Sequence, residues 1–449
     1  MTPVSHAFIA RSLPWIFVLC AVTACSNSNS ASVQTPAPPM PDSLITETPS
    51  TSFAIRTEPA LPPSLPQAGA KAVDPTFGTT LLRLTDGTDG NQEMGVQYSY
   101  WPVFNNNSTR IHVNGKYGPT RSVFFTFDPA TLTAGPPFVL QTPPPQGFLL
   151  ERSDMIWSGI GADLIYGHNG HVDAIEDVPR QLWAYNVALD QYALIKNFSD
   201  VLLPNGSGLL LPDGNLAQMS KSLDDQVFAF TLTDAAGAPA GYFAWHRGRD
   251  QILAREAASD LDEVQVDKSG RYLVVVYGGG DDDVFDLATS PPTLVDRLTR
   301  ADDFGFEHRD TGLGTLFTAF PGDALGFRPF ATPRDVTRLI PGHWSYRTQQ
   351  DHFSMLADNE RWALCSRFST SGGPVLNQFD NEIVQVATDG SDRVRRIAHH
   401  RSLVSIFEDQ PKASISRDGR HVAFTSNWGI VGGRRDVYLV VNIPAAPTS

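Results

Sequence analysis

One short pattern recurs seven times along the chain and restricts the possible folds more than any other feature. Each copy has a short strand, a polar turn of Asn, Asp or Gly, and a strongly apolar strand. The copies begin at residues 101, 155, 218, 264, 308, 352 and 412. Several short strands in each period of ~40–50 residues are typical of a β-propeller blade. We therefore predict an all-β protein, a seven-bladed β-propeller.

The two ends of the repeat array predict how the ring closes. The seventh copy supplies strands only around Ala413–Ser416, His421–Ser426 and Asp436–Val441. The strand-like run Thr79–Leu84 precedes the first copy and has no blade of its own. We predict that it forms the outer strand of the seventh blade, which closes the ring and covers an open sheet edge. One propeller domain then occupies residues 74–443, with two separate β domains as the alternative.

The N-terminus resembles a bacterial lipoprotein signal. The apolar run Leu13–Ala24 is too short to cross a bilayer but suits the hydrophobic region of a signal peptide. It ends in Val-Thr-Ala before Cys25, which resembles a lipobox whose cysteine is acylated. We predict a lipoprotein signal peptide at residues 1–24 and lipidation of Cys25. Ser26 after the cysteine indicates the outer membrane of a Gram-negative bacterium, and an ordinary secretory signal is the alternative.

The segment that follows and the overall charge limit the possible partners. Residues 25–73 are rich in Pro, Ser and Thr, which predicts a lipidated, disordered tether, and residues 444–449 form a short tail. With the signal peptide removed and Cys25 lipidated, Cys365 is a lone thiol, so no internal disulfide is expected. The formal net charge of −14 argues against nucleic acid as a partner.

Histidines stand where the inner strands of a propeller would start. His308 and His352 begin the fifth and sixth copies, Gln410 lies just before the seventh, and His399 and His400 lie between the last two copies. Residues at these places crowd the mouth of the central channel. Imidazole nitrogens with carboxylate or amide oxygens suit a divalent metal ion. We predict that His352, His399 and Gln410 bind a metal, either Mn, Ca or Zn, with a solvated or structural role for each histidine as the alternative.

Aromatic and basic residues near the same copies are candidates for binding a sugar. Aromatic rings stack on sugar rings, although such residues more often pack in a core. The substrate-binding candidates are Arg309, Trp344, Tyr346 and Trp428. Trp101, which begins the first copy, and Tyr98 and Tyr100 just before it are further stacking candidates.

The last two copies resemble a known group of propellers. The runs from Asn381 to Ser402 and from Glu408 to Gly429, with the opening run Asp74–Asp86, look like TolB-like propellers and, more narrowly, oligogalacturonate-lyase-like ones. In that family, His and Gln side chains hold a manganese ion that binds a uronate carboxylate, and a basic side chain removes the C5 proton. The resemblance implies a metal-binding role for His352.

At three other positions of the site, two residues match the family and one departs from it. The resemblance places Gln410 near the metal-binding cluster and His308 near a second functional histidine of the family. The sequence departs from the family at Lys412, where the family has a histidine, and lysine is a poor metal ligand unless desolvated. Lys412 could instead neutralise a substrate carboxylate.

Two functions of different classes follow. The first is a membrane-anchored binding or scaffold propeller, TolB-like, whose partner is an acidic carbohydrate or another envelope protein. The alternative is a polysaccharide lyase that cleaves a uronate-containing saccharide by β-elimination, which needs a base for the C5 proton and a cation for the developing charge. The candidate catalytic residues are His308, His400 and Lys412.

Overall fold

The computed structural model contains seven antiparallel sheets and three short 3-10 turns, with no α-helix in the part of the chain that it describes. The 3-10 turns are Gly87–Asp89, Arg247–Arg249 and Phe407–Asp409. The structure describes residues 49–60, 66–90, 92–116, 122–140, 142, 155–168, 180–198, 215–234, 236–300, 308–344, 350–369 and 377–442. Cys25 and the predicted signal peptide lie outside these residues.

The strands are numbered in chain order. The first half comprises β1 Lys71–Val73, β2 Thr80–Arg83, β3 Glu93–Gly95, β4 Arg110–Lys116, β5 Ser122–Asp128, β6 Thr133–Ala134, β7 Ile156–Trp157, β8 Leu164–His168, β9 Gln181–Asn186, β10 Gln191–Asn197, β11 Asn215–Lys221, β12 Val227–Thr233, β13 Pro239–His246 and β14 Gln251–Ala257. The second half comprises β15 Leu261–Val266, β16 Tyr272–Tyr277, β17 Asp282–Asp286, β18 Thr293–Leu298, β19 Arg309–Thr311, β20 Thr315–Phe320, β21 Ala324–Pro329, β22 Thr337–Leu339, β23 Gln350–Ser354, β24 Trp362–Phe368, β25 Glu382–Ala387, β26 Val394–His399, β27 Ser414–Ile415, β28 Val422–Ser426 and β29 Asp436–Asn442.

Six sheets are four-stranded meanders, and each is one blade. In chain order they are β3–β6, β7–β10, β11–β14, β15–β18, β19–β22 and β23–β26. The first strand of each blade lies innermost, and neighbouring inner strands contact one another, as β11 does with β15 and β19 with β23. The predicted seven-bladed all-β propeller is therefore confirmed.

The seventh blade closes the ring with the N-terminal strand, as predicted. Its strand order is β1-β2-β29-β28-β27, so β2 pairs with the last strand of the chain and β1 adds a fifth strand outside it. Both β28 and β29 also contact β3 of the first blade. Leu82 and Leu84 pack with Val437 and Phe125 in the core between these two blades.

Burial explains why the middle strands are almost wholly apolar. All seven residues of β12 are buried, because neighbouring blades cover both of its faces. The outer strand β10 has no fully buried residue. The hydrophobic core is accordingly divided into layers between blades, and one of them joins Leu364 and Ile383 of blade six to Phe424 of blade seven.

Part of the predicted tether lies against blade six. Ser50 and Val394 exchange two backbone hydrogen bonds at the outer strand β26. The ring of Phe53 stacks on that of His343 at 4.0 Å, and Arg396 donates to the carbonyl of Ala54 at 2.6 Å. The folded part of the chain therefore includes residues 49–60 and β1, N-terminal to the boundary at residue 74 that the sequence suggests. No helix among the described residues is long and apolar enough to cross a membrane.

Candidate functional site

The starts of several inner strands converge at one end of the central channel. His308 directly precedes β19, His352 lies in β23, and Gln410 and Lys412 lie just before β27. Because the first strand of every blade runs in the same direction, these residues meet at the same end of the channel. We call this end the mouth and define it by His308, His352, Gln410 and Lys412.

His352 is at the centre of the mouth. It is buried, its ring centroid lies 4.9 Å from that of His308, and its Nε2 lies 2.8 Å from Oε1 of Gln410. That oxygen can only accept, so Nε2 carries the proton and Nδ1 keeps its lone pair. Nδ1 has no hydrogen-bond partner among the described residues. Burial, His308 and Lys412 hold the pKa of His352 well below its usual value, so the ring is neutral.

Lys412 brings positive charge to the mouth. Its side chain is largely buried, and the ammonium lies 3.6 Å from the ring centroid of Phe407, a cation–π contact. The backbone of Lys412 is in the left-handed region, with φ of 44°, which is uncommon for a residue other than glycine. The ring of Tyr98 stacks with that of Phe407, with 6.1 Å between the ring centroids. It also makes an edge-to-face contact with His352, with 4.8 Å between the centroids.

Glu263 and Asp351 are site residues that the sequence did not single out. Tyr100 donates a hydrogen bond to Glu263, and burial raises the pKa of this carboxyl above its usual value. Nδ1 of His308 lies 3.5 Å from Oδ1 of Asp351, and the indole of Trp344 donates to Oδ2 at 2.6 Å. The sequence signal that could have identified them is an acidic residue directly before the fourth copy and directly before the sixth.

His399 and His400 lie away from the mouth. His399 ends β26, the outer strand of blade six, and its backbone N–H donates to Asp74. Three interstrand spacings separate that strand from the inner strand with His352, or ~14 Å. His400 accepts from the N–H of Ser402 at 2.9 Å and donates to the carbonyl of Arg367 at 2.9 Å, and burial lowers its pKa to about 3. Both of its ring nitrogens are thus used in structural hydrogen bonds.

The predicted sugar-binding residues are also mostly internal. Arg309 is buried and forms an ion pair with Asp282 at 2.8 Å, although its nitrogens are not aligned for a hydrogen bond. Burial raises the pKa of Asp282 to about 7, against the opposing effect of Arg309. Trp344 and Trp428 are both buried in cores between strands, and Tyr346 lies outside the described residues.

The residues of the mouth do not fit a divalent metal ion. Among the described residues, no three His, Cys, Asp or Glu side chains are grouped as metal ligands. Beside the two histidines, the oxygen of Gln410 already accepts from His352, and the carboxylate of Asp351 faces Nδ1 of His308 and accepts from Trp344. The ammonium of Lys412 adds a positive charge beside His352. With His399 in the outer strand, the predicted set of His352, His399 and Gln410 does not form one ligand shell.

The opposite end of the channel contains a cavity of about 700 Å³, including its opening. Its walls are largely apolar and include Trp101 and Trp157. The cations at its rim are paired, Lys221 with Asp225 at 2.6 Å and Lys268 with Glu360 at 2.8 Å. The mouth differs from this end in that two histidine rings meet there beside a lysine.

Comparison with known proteins supports the fold. No protein-family model matches the sequence, and no curated protein matches it significantly. An oligogalacturonate lyase from Vibrio parahaemolyticus superposes with a TM-score of 0.57 at 10% identity, covering 82% of this chain and 95% of its own. An oligogalacturonate lyase in complex with manganese superposes with a TM-score of 0.57 at 12% identity, covering 85% and 97%. The chain shares the seven-bladed propeller fold of these lyases.

Proposed function

We propose that the mouth binds the carboxylate of a sugar unit in an acidic carbohydrate, with Lys412 as the cation that receives it. The observation that carries this proposal is the meeting of Lys412 with His308, His352 and Gln410 at one end of the channel. A lysine that is largely removed from water forms a stronger charge-assisted hydrogen bond than an exposed one. On a chain with a net charge of −14, such a local cation is what a polyanion would need.

The shared fold supports the choice of ligand class. Both lyases in the comparison are named for oligogalacturonate, a polymer of sugar acids. One of them is described in complex with manganese. In this chain no three ligating side chains are grouped among the described residues, so we propose that Lys412 takes the place of a metal ion in binding the carboxylate. We therefore propose an acidic sugar as the ligand, bound by Lys412 without a metal ion.

A second candidate function is β-elimination, favoured by the contact between His308 and Asp351. A carboxylate 3.5 Å from Nδ1 can orient the imidazole so that Nε2 faces a substrate, as a general base requires. In this reaction the imidazole of His308 accepts the C5 proton, a C4–C5 double bond forms, and the C4–O bond to the next sugar breaks. The departing oxygen takes up a proton, from the imidazolium or from water, and leaves as a hydroxyl group. Lys412 would stabilise the charge that develops on the carboxylate.

The location in the cell is part of the proposal. A lipid on Cys25 would hold the propeller at the cell envelope, on the outer membrane of a Gram-negative bacterium. There the mouth would meet acidic carbohydrate from outside the cell or from the envelope. A TolB-like role with an envelope protein as partner is the alternative.

The binding test is calorimetry of the full chain with galacturonate oligomers, matched neutral galactose oligomers, and other uronate polymers. Ultraviolet absorbance of the unsaturated product reports β-elimination in the same mixtures, with a chelator or with added Mn, Ca or Zn. We expect saturable binding of the acidic oligomers without added metal. Absence of binding to every acidic polymer would overturn the proposal and favour the envelope-protein alternative.

A variant pair tests the role of the lysine. Lys412→Met should weaken binding of the acidic oligomer about tenfold or more, because a hydrogen bond to a charged group contributes ~1.5–3 kcal/mol. Lys71→Met is the matched control, since Lys71 is exposed on β1 at the outer edge of blade seven. Equal affinities for the two variants would contradict the assignment of Lys412.

A further inference from the structure

The cavity at the end of the channel opposite the mouth has the walls of a small-molecule site. We call it the far cavity and define it by Trp101, Trp157, Leu356, Lys268 and Arg417 of its lining. The indole N–H groups of Trp101 and Trp157 donate to the backbone carbonyls of Met219 at 2.9 Å and Val103 at 3.1 Å. Both rings are therefore fixed and offer a ligand only their carbon surfaces. Largely apolar walls with a few polar groups are typical of sites for small molecules.

Two basic side chains of the far cavity keep N–H donors that no described residue uses. The ammonium of Lys268 donates to the carbonyl of Ala357 at 2.6 Å and to Glu360 at 2.8 Å, so one of its three N–H groups remains. Arg417 makes three hydrogen bonds through its five N–H groups, so two remain. These donors favour a ligand that carries an oxygen acceptor.

The charges around the far cavity are balanced. Each basic residue of the lining has an acidic partner: Lys221 pairs with Asp225 at 2.6 Å, Lys268 with Glu360 at 2.8 Å and Arg417 with Asp358 at 3.0 Å. Asp310 also lines the cavity, and burial raises the pKa of its carboxyl to about 7. An anionic ligand would find no unpaired cation here, and burying a charge without a partner is costly. The balance therefore favours an uncharged ligand.

We propose that the far cavity binds an uncharged, flat aromatic compound with a carbonyl oxygen, and that Lys268 donates a hydrogen bond to this oxygen. The rings of the ligand pack against Trp101 and Trp157. The side chain of Lys268 is 10% exposed and that of Arg417 is 22% exposed, so the hydrogen bond of Lys268 competes less with water. This inference goes beyond the proposed function, because the two sites lie at opposite ends of the channel and use different lysines.

Equilibrium dialysis of the full chain against coumarin, an uncharged bicyclic lactone, tests the site. Coumarin should bind saturably, with one site per chain. Leu356→Trp should abolish this binding, because the larger side chain fills the cavity from its wall. Leu313→Trp is the matched control, since Leu313 is 61% exposed on the turn between β19 and β20 and lies outside the lining. Absence of binding to the wild type, or equal binding to the two folded variants, would overturn the proposal.

The role of Lys268 is measured as a ratio of two dissociation constants. 1,2-Dihydronaphthalene has the shape of coumarin without its oxygens, so changes in apolar packing cancel when the two ligands are compared. Lys268→Met should weaken coumarin about tenfold relative to dihydronaphthalene, because a hydrogen bond from a charged donor is lost. Glu360→Gln is the control, because it retains the ammonium and should not weaken coumarin in this comparison. An unchanged ratio in Lys268→Met, or an equal loss in Glu360→Gln, would overturn the assignment of Lys268.

Three competitors test the class of ligand and the separation of the two sites. Coumarin-3-carboxylate should displace coumarin about tenfold less well than its uncharged methyl ester, because the acid brings a charge that has no free partner. A galacturonate oligomer should not displace coumarin, whether or not it binds at the mouth. Tighter binding of the acid than of the ester would overturn the uncharged class. Displacement of coumarin by the galacturonate oligomer would overturn the separation of the far cavity from the mouth.

Discussion

The variant His400→Asn tests whether His400 is a structural residue or an accessible base. Its ring joins the loop at Ser402 to the carbonyl of Arg367, and burial lowers its pKa to about 3. In His400→Asn the amide oxygen can still accept from Ser402, but the carbonyl of Arg367 loses its donor. We expect a loss of about 1–3 kcal/mol in the free energy of unfolding at neutral pH.

The pH dependence of this loss is the sharper expectation. An unfolded histidine has a pKa of ~6.5, so below that pH the unfolded chain binds a proton that the folded chain does not bind at His400. The wild type therefore loses stability as the pH falls. From about pH 7.5 to about pH 5 this loss amounts to about 2 kcal/mol, and any folded-state pKa below ~4 yields the same figure. The variant lacks this loss. The difference in the free energy of unfolding between the wild type and the variant therefore shrinks by about 2 kcal/mol from about pH 7.5 to about pH 5.

Urea unfolding followed by tryptophan fluorescence at several pH values measures the difference. Buried carboxyls with raised pKa, such as Asp282, are present in both proteins and cancel. His112 is the matched case in blade one, because burial lowers its pKa to about 3, and His112→Asn should show the same trend. A deficit of His400→Asn that stays constant with pH would refute the reasoning, since it would mean that His400 protonates normally in the folded protein.

Three further variants test the packing of the propeller. Leu82→Ala should cost about 2–5 kcal/mol in urea unfolding, because Leu82 is fully buried where the ring closes, whereas Val73→Ala on the exposed face of β1 should change stability by less than about 0.5 kcal/mol. Trp428→Leu should lower the melting temperature and leave the calorimetric affinity for acidic oligomers unchanged, because Trp428 is buried. Gly159→Ala should destabilise by about 1–3 kcal/mol, because its Cβ would lie 1.8 Å from the carbonyl oxygen of Leu223. A thermal melt equal to that of the wild type would contradict this last expectation.

Part of the mouth was predictable from the repeat alone. His308 and His352 occupy the same place in successive copies, and the copies align the starts of the inner strands. Their rings accordingly lie 4.9 Å apart, although 44 residues separate them in the sequence. Gln410 follows the same rule before the seventh inner strand. For these residues, the position within the repeat therefore determines the position at the channel.

The remaining site candidates could not be placed in this way, because they belong to connections or outer strands. His399 and His400 form a conspicuous pair in the sequence, yet one ends an outer strand and the other is enclosed by backbone hydrogen bonds. Trp428 resembles a stacking platform, but it packs on Tyr438 at 4.6 Å. Conversely, Glu263 lies within an inner strand and carries no distinguishing pattern in the sequence, and only the structure brings it within electrostatic reach of His308.

The sequence by itself determined the number of blades, their order and the closure of the ring. These properties depend on hydrophobic strands, turns and an unpaired terminal strand, all of which are local or periodic. Only the tertiary structure decided which charged and aromatic groups meet. The contact of Lys412 with Phe407 and the neutrality of His352 arise from burial by neighbouring blades, and burial depends on which strands become neighbours in space.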